Sequence, residues 1–322
     1  MCTAITFQTN RFYFGRNLDH DESYQEEVTV IPRRYPLPLC KEETSHYAII
    51  GMAHIADGFP LMYDGINEKG LGIAGLNFVG FTHYQSSVAG KHNIPCYALI
   101  PWILAQCATV SEARQLLETA NITPQTFRDD LPCPQLHWII ADKSQTITLE
   151  VLADGIHIHE NPIGVLTNNP PFDQQLLHLS NFMSLSPNPP ENRFSDRLEL
   201  RPYSNGMGAL GLPGDLSSQS RFVRAAFTKW NSRCDNTEGS SVNQFFHILG
   251  TVSQTNGCCQ LPGGNLEKTV YTSCCSCGEG IYYYTTYENR QITSVNMHHC
   301  DLDSDQLFRY PLIRAQHAHS QN

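Results

Sequence analysis

The second residue of the chain carries the first group that could do chemistry. Cys2 directly follows Met1, so removal of Met1 would leave one residue with both a thiol and a free α-amino group. The thiolate is the attacking form, and a thiol of pKa ~8.5 is only a few per cent ionised at neutral pH. An α-amino group titrates near pH ~8 and could accept the thiol proton. The position favours an N-terminal nucleophile, although a cysteine packed as a small hydrophobe would have the same sequence.

Two charged residues follow closely enough to act on that thiol. Apolar runs at residues 2–7 and 12–17 are joined by polar residues 8–10, a pattern that predicts a β-hairpin. The hairpin would hold Arg16 and Asp19 near the new N-terminus. Arg16 would then stabilise the thiolate and Asp19 could orient the ammonium group. These residues predict an amidohydrolase of the N-terminal nucleophile type.

The rest of the pattern predicts an α+β chain, with strands towards both ends and helices in two central groups. Helices are predicted from about Cys96, after the capping box at 109–112, over 220–230, and after a second capping box at 241–244. Strands are predicted at 27–32, 47–52, 59–62, 71–77, 136–141, 146–152, 164–167, around Tyr271, and at 281–287 and 291–297.

No repeat or linker divides the sequence, so we expect one domain over residues 1–322. Residues 181–214 are rich in Pro, Asn, Ser and Gly and are long for a connection, which predicts an extended arm, a lid or an assembly element. Residues 315–322 are expected to be a disordered tail.

Composition excludes several classes of protein. Lys and Arg number 21 against 31 Asp and Glu, a net charge of −10, so neither nucleic acid nor a membrane is an expected partner. No signal-peptide pattern and no apolar run of about 18 residues is seen, and we expect a cytoplasmic protein. Its 12 cysteines are then expected to be reduced thiols. Three histidines in apolar surroundings, His54, His137 and His247, are expected to be hydrogen-bonded core residues.

Seven segments in sequence order resemble the choloylglycine hydrolase family, which contains bile salt hydrolases and penicillin V acylases. They are MCTAIT at 1–6, FGRNLD at 14–19, AGLNF at 74–78, LTNNP at 166–170, GLPGDLSS at 211–218, SRFVR at 220–224 and YTTYENR at 284–290. The likeness spans almost the whole chain and is greatest to bile salt hydrolases of gut bacteria. It implies a four-layer αββα sandwich of two antiparallel sheets flanked by helices, the N-terminal nucleophile hydrolase fold, and a homotetramer assembled through the 181–214 arm.

The resemblance also implies a set of catalytic roles. Cys2 matches the nucleophile, and Arg16 and Asp19 match the pair beside it. Asn77 matches the backbone N–H of an oxyanion hole, and Asn168 matches the side-chain amide that completes it. A sixth residue, which supports the nucleophile and the charge network, is matched by Arg221.

The implied reaction hydrolyses the amide bond of glycine- or taurine-conjugated bile salts through a thioester, without a cofactor. A steroid needs a broad apolar pocket with few polar groups. By similarity to family loops, the expected walls are Leu18, Phe59, Leu131, Pro132 and Leu136, each of which could instead be ordinary core.

Two alternatives remain open from the residues. A penicillin V acylase-like amidase would share the pattern, but such enzymes of this family carry Tyr where this chain has Asn77, which favours bile salts. A protein of another class, with Cys2 inert, would bind a metal or act in redox chemistry through Cys258-Cys259 and Cys274-Cys275-Ser276-Cys277. That spacing lacks the repeated C-x2-C pairs of a structural zinc site, so no metal is expected and the thiols are interpreted as incidental.

Overall fold

Two antiparallel sheets form the centre of the fold in the computed structural model, which describes residues 1–38 and 45–322. Cys40, one of the thiols expected to be reduced, lies outside these ranges. The strands are β1 Cys2–Gln8, β2 Phe12–His20, β3 Glu27–Ile31, β4 Ile49–Ala56, β5 Phe59–Asn67, β6 Gly72–Asn77, β7 His92–Pro95, β8 Ala120–Thr123, β9 Leu136–Ala141, β10 Thr146–Leu152, β11 Gly155–Glu160, β12 Val165–Leu166, β13 Lys268–Ser276, β14 Ile281–Thr286, β15 Thr293–Asn296 and β16 Phe308–Pro311. The α-helices are α1 Leu99–Gln106, α2 Val110–Glu118, α3 Phe172–Leu179, α4 Ser218–Asn231 and α5 Glu238–Gly250.

The sheets stack face to face between two layers of helices. One has six strands in the order β12-β1-β2-β13-β14-β15, and the other has eight in the order β11-β10-β9-β6-β5-β4-β3-β16. Strands β1 and β2 contact β6 across the interface, α1 packs on β5 and β6, and α4 and α5 pack on β1. The fully buried side chains include Trp138, Phe14, Phe222 and Phe245. The α+β class and the four αββα layers are confirmed.

The predicted N-terminal hairpin is confirmed. Strands β1 and β2 pair from Cys2 opposite Leu18 to Gln8 opposite Phe12. Nearly every residue of both strands is buried, because β1 and β2 lie inside the six-stranded sheet and are covered on both faces. Cys2 therefore lies at the start of a strand in the centre of the fold.

Strand β5 continues beyond the predicted end at residue 62. The tight turn before it is as expected, with positive φ at Asp57 and Gly58. The polar Asp64 then lies in the strand, fully buried between the sheets. Its carboxylate accepts hydrogen bonds of 2.6 Å from the hydroxyls of Tyr271 and Tyr282. Partners on a distant strand offset the cost of burying this acid, which the local pattern could not reveal.

Of the two helix starts predicted from capping boxes, one is confirmed and the other is wrong. Thr109 caps α2 by accepting a 3.2 Å hydrogen bond from the Glu112 N–H, as the first capping box predicted. The second capping box was expected to begin a helix at Ser241. Helix α5 instead begins at Glu238, because Thr237 accepts from the Ser240 N–H at 3.2 Å and caps it one turn earlier.

Residues 181–214 contain no α-helix or β-strand, only short 3-10 turns. A close approach of two backbone segments folds this arm on itself at Gly208. The Ser186 N–H donates to the Gly208 carbonyl at 2.9 Å, and a Cβ at Gly208 would lie 1.9 Å from the Asn188 carbonyl oxygen. Several large apolar side chains of the arm are exposed: Met183, Phe194, Leu198, Leu200, Tyr203 and Leu210.

Candidate active site

Cys2 stands at the start of β1, buried and held from two sides. Its backbone N–H donates to Asn168 Oδ1 at 2.8 Å. Its carbonyl oxygen accepts from Arg221 Nη1 at 2.5 Å, and the same nitrogen donates to Thr3 Oγ1 at 2.7 Å. The sheet and these bonds fix the backbone of Cys2, so its thiol has a defined position.

Arg221, Asn168 and Asn77 form a hydrogen-bonded chain beside the thiol. Arg221 Nη2 donates to Asn168 Oδ1 at 2.7 Å, and Asn168 Nδ2 donates to the Asn77 carbonyl oxygen at 2.7 Å. Helix α4 turns Arg221 inward, where it is fully buried. Burial lowers the pKa of Arg221, and the nearby Asp19 and Cys2 oppose that shift. Because Oδ1 faces the arginine, the amide NH₂ of Asn168 faces Asn77.

The direction of the Asn77 backbone N–H follows from the strand ladder. Phe78 N–H donates to Gln135 O at 2.8 Å, so Phe78 and Gln135 form a hydrogen-bonded pair of β6 and β9. The next pair, Asn77 with Leu136, is then of the other type, with its N–H and C=O groups turned away from the partner strand. The Asn77 N–H therefore points away from β9, in the same direction as the Asn77 carbonyl group that accepts from Asn168.

Arg16 brings a buried positive charge to the same place. It lines one cavity together with Cys2, and its Nη1 donates to the carbonyl oxygens of Tyr63, at 3.3 Å, and Gly75. Its Nη2 is buried without an acceptor among the described residues. Burial works to lower the pKa of Arg16, but the nearby Cys2, Tyr271, Asp64 and Asp19 raise it above its usual range. The guanidinium is charged and can stabilise an anion at Cys2.

Asp19 lies near the N-terminus, but its carboxylate is bound elsewhere. The carboxylate accepts from Thr269 Oγ1 at 2.6 Å and from Gln254 Nε2 at 3.3 Å. Asp19 meets Met1 through its backbone, whose carbonyl oxygen accepts from the Met1 ammonium group at 2.7 Å. The carboxylate that contacts this ammonium group belongs to Glu267, which is buried. Burial lowers the pKa of the Met1 amine.

A cavity of about 300 Å³ opens beside Cys2 and Arg16. Four of the five expected wall residues line it: Leu18, Leu131, Pro132 and Leu136. Phe59 does not line it but lies behind the wall, where its ring centroid is 5.6 Å from those of Tyr97 and Phe127. Those two aromatic residues line the cavity, so the Phe59 ring supports the wall.

Several residues at the site had no signal in the sequence. The cavity is also lined by Tyr24, His54 and Trp138, whose indole Nε1 is buried without an acceptor among the described residues. A second cavity, of about 280 Å³, is lined by Met1, Asn77, Asn168 and Glu267 among others. These residues come from separate strands and loops, so no local spacing joins them.

The three histidines have three different environments. His137 is fully buried and contacts two acceptors, as expected of a core histidine. His54 is half-buried in the cavity wall. His247 is exposed on α5, so its expected burial is wrong. Its apolar sequence neighbours face the core from other sides of the helix.

The cysteine-rich segment forms no cluster that could hold a metal. Cys274 and Cys275 are successive residues of β13, so their side chains point to opposite faces. Burial raises the pKa of both thiols. Within the described ranges no group of three or more His, Cys, Asp or Glu is placed to hold a metal ion, and all eleven cysteines are free. None of the helices described above is long and apolar enough to cross a bilayer.

Comparison with known proteins gives a consistent set of relatives. The model of the linear amide C–N hydrolases, choloylglycine hydrolase family, matches residues 2–310. The chain is 52% identical over 314 residues to the bile salt hydrolase/transferase of Lactiplantibacillus plantarum, covering 97% of both chains. It is 37% identical over 321 residues to the bile salt hydrolase/transferase of Clostridium perfringens, covering 96% of both. A crystal structure of a mutant conjugated bile acid hydrolase from Clostridium perfringens superposes with a TM-score of 0.92 at 35% identity, over 100% of both chains.

Proposed function

Because the chain belongs to the choloylglycine hydrolase family of linear amide C–N hydrolases, we propose that it is a bile salt hydrolase with Cys2 as its nucleophile. One observation carries the proposal: the buried Cys2 lines an apolar cavity together with Arg16 and Asn77, and the amide of Asn168 bonds both the Cys2 N–H and the Asn77 carbonyl. An amidohydrolase needs a nucleophile, an oxyanion site and a place for the acyl group, and these elements supply all three.

The reaction begins once Met1 has been removed. The Cys2 thiolate, stabilised by Arg16, attacks the carbonyl carbon of the amide, and the carbonyl π electrons move to oxygen. The Asn77 N–H and the Asn168 Nδ2 are the donors for this oxyanion, and one such donor supplies about 2.7–4 kcal/mol. The α-amino group of Cys2 then gives its proton to the nitrogen as the C–N bond breaks. Glycine or taurine leaves, and a thioester remains.

Water completes the cycle. With the α-amino group as base, water attacks the thioester carbonyl, and the same two donors stabilise the second oxyanion. The C–S bond breaks, releasing the bile acid and restoring the thiol. The free amine remains held at Asn168 Oδ1, the atom that accepts from the Cys2 N–H in this structure.

The cavity suits an acyl group that is mostly apolar and carries a few hydroxyls. Leu18, Leu131 and Leu136 present aliphatic surface to it. Tyr24 and His54, which carry polar groups, line the same cavity. A steroid hydroxyl would bond one of these groups while the ring system fills the apolar space. This combination favours a bile acid over a purely hydrocarbon chain.

Removal of Met1 is part of the proposal. Met1 lines the second cavity together with Asn77 and Asn168, the residues proposed to carry the oxyanion donors. Intact-mass analysis of active protein is expected to give a chain that starts at Cys2. Full activity with Met1 retained would refute the mechanism, because the base and proton donor would then be an amide.

The substrate is tested by comparing two kinds of amide on one preparation. Release of glycine and taurine from conjugated bile salts should be faster than hydrolysis of penicillin V. Asn77 supports this order, since the family's penicillin V acylases are expected to carry Tyr there. Faster penicillin V turnover would reverse the assignment in favour of the acylase.

We also propose one domain over residues 1–322, assembled as a homotetramer in the cytoplasm of a gut bacterium. The exposed apolar residues of the 181–214 arm, such as Phe194 and Tyr203, support assembly because contact between subunits would bury them. Light scattering should give four times the mass of the chain, and a variant with Phe194→Ser and Tyr203→Ser should give a smaller species.

A further inference from the structure

A fully buried histidine–glutamate pair lies directly behind the proposed oxyanion site. His137 on β9 and Glu150 on β10 have no exposed surface, and His137 Nδ1 lies 3.1 Å from Glu150 Oε1. The reaction steps proposed above use neither residue. Their contacts lead to the two segments that carry the oxyanion donors.

The pair binds both ends of the segment that contains Asn168. His137 Nε2 lies 2.9 Å from the carbonyl oxygen of Thr167, the residue before Asn168. Glu150 Oε1 accepts from the N–H of Phe172, at the start of α3, at 3.0 Å. Residues 168–171 therefore form a loop closed at both ends on one buried histidine–glutamate pair.

Both members of the pair face polar groups. The ring nitrogens of His137 face a carboxylate oxygen and a backbone carbonyl. Burial would raise the pKa of Glu150, but the contacts of its carboxylate with His137, His159 and the Phe172 N–H lower it to about 2. Glu150 is thus a carboxylate at neutral pH and an acceptor for the groups around it.

The flat face of His137 contacts the second segment. Its ring stacks on Phe78 with a centroid distance of 4.2 Å and an interplanar angle of 5°. Phe78 directly follows Asn77 and is tied to β9 through Gln135. One side chain therefore touches the neighbours of both proposed donors, Asn77 and Asn168.

A buried ion pair adds little stability over apolar residues of the same volume, because desolvation offsets the attraction. The contacts of the pair with the Thr167 carbonyl and the Phe172 N–H are directional, so they fix the distance and angle between the segments they join. Apolar residues could not do this. We propose that His137 and Glu150 are positioning residues for the amide hydrolysis, holding the Asn168 amide and the Asn77 N–H in register as one oxyanion site. The inference rests on the proposed function, because it assumes that those two groups stabilise the oxyanion.

The test removes the pair without leaving a charge buried. The double variant His137→Phe, Glu150→Met keeps a ring against Phe78 and deletes the contacts with the Thr167 carbonyl and the Phe172 N–H. The single variant Glu150→Gln keeps an acceptor for the Phe172 N–H but removes the carboxylate charge that faces His137. His46→Phe is the matched control, because both ring nitrogens of His46 also contact backbone carbonyls, those of Tyr47 and Tyr35, beside a different cavity.

Four quantities separate positioning from a general structural role. They are kcat and KM for a glycine-conjugated bile salt, the rate at which iodoacetamide alkylates Cys2, and the melting temperature. Loss of one oxyanion donor lowers kcat about 10²- to 10³-fold, so loss of its alignment should lower kcat at least about tenfold. We expect KM within about threefold of wild type and the alkylation rate within about twofold, because neither depends on the oxyanion donors. His46→Phe should leave kcat unchanged.

Each other outcome is decisive. A kcat within threefold of wild type in both folded variants would overturn the proposal. So would equal falls in kcat and alkylation rate, since the pair would then act on the thiol. If the double variant is insoluble, Glu150→Gln is judged by the same criteria, and insolubility of both would make the pair a folding element. A wild-type protein that hydrolyses no conjugated bile salt would instead refute the proposed function itself.

Discussion

The side-chain oxygen of Asn168 accepts the backbone N–H of Cys2 at 2.8 Å, across 166 positions of sequence. The other atom of the same amide, Nδ2, donates to the Asn77 carbonyl. One planar group thus joins the proposed nucleophile to the strand that carries the second proposed oxyanion donor. A change at Asn168 should therefore affect transition-state stabilisation more than substrate binding.

Replacing Asn168 with Ala is expected to lower kcat about 10²- to 10³-fold while KM changes little, because a donor to the oxyanion is lost. Steady-state kinetics on a conjugated bile salt measures both. Asn93→Ala is the control, since the Asn93 amide bonds only its own loop and the neighbouring Asn121. A rise in KM with unchanged kcat would mean that Asn168 binds substrate instead.

Replacing Cys2 with Ser should remove nearly all hydrolysis, because a hydroxyl has a far higher pKa than a thiol and supplies almost no anion at neutral pH. The measurement is release of glycine from a conjugated bile salt, with mass spectrometry to verify that Met1 is still removed. Cys258→Ser, at an exposed thiol, should retain full activity. Substantial turnover by the serine variant would assign the nucleophile elsewhere.

Arg221→Lys is expected to lower kcat about 100-fold or more and to lower the melting temperature. A lysine carries its charge on a single ammonium group, which cannot reach Cys2 O, Asn168 Oδ1 and Leu216 O together as the guanidinium does. Each lost charged hydrogen bond costs about 1.5–3 kcal/mol. Arg224→Lys, also on α4 but bound only to loop carbonyls, should keep its kcat. Equal loss of kcat in both variants would point to general damage to the helix.

His54→Phe should raise KM about 2- to 10-fold for bile salts whose hydroxyl reaches the imidazole, because one hydrogen bond of about 0.5–1.5 kcal/mol is lost. The measurement compares conjugates that differ in steroid hydroxyls, and the variant should distinguish them less than wild type does. His247→Phe is the control, since His247 is exposed on α5 and does not line the cavity. An unchanged preference would show that no substrate oxygen meets His54.

The buried Lys229 is expected to make the free energy of unfolding depend on pH. Burial lowers its pKa from 10.5 to about 8, with Nζ donating to Thr6 Oγ1 at 3.2 Å. Between pH 8 and 10.5 the unfolded chain binds the proton more tightly than the folded chain does. The free energy of unfolding should therefore rise with pH across that window, by up to about 3 kcal/mol from this group. Urea unfolding of wild type and Lys229→Met at several pH values measures it, and parallel curves would contradict the prediction.

The sequence alone determined the local elements. Two apolar runs joined by polar residues predicted the N-terminal hairpin, and β9 and β10 have the predicted bounds, 136–141 and 146–152. The capping residues of α2 were also identifiable. Cys2 was a candidate from its position, because the pairing of a thiol with an α-amino group depends only on chain order. The predicted hairpin also made Arg16 and Asp19 candidates, whereas Asn77, Asn168 and Arg221 entered by resemblance, since their roles depend on partners far along the chain.

Only the tertiary structure decided which polar groups meet. In the folded chain the Asp19 carboxylate accepts from Thr269 and Gln254, the Met1 ammonium group contacts Glu267, and Phe59 lies behind the cavity wall. The fold also places His137 against both oxyanion segments. A buried polar group must find a partner wherever the packing of sheets brings one near, and that packing is set by apolar burial over the whole chain. No local spacing records the result, so these relationships appear only in the fold.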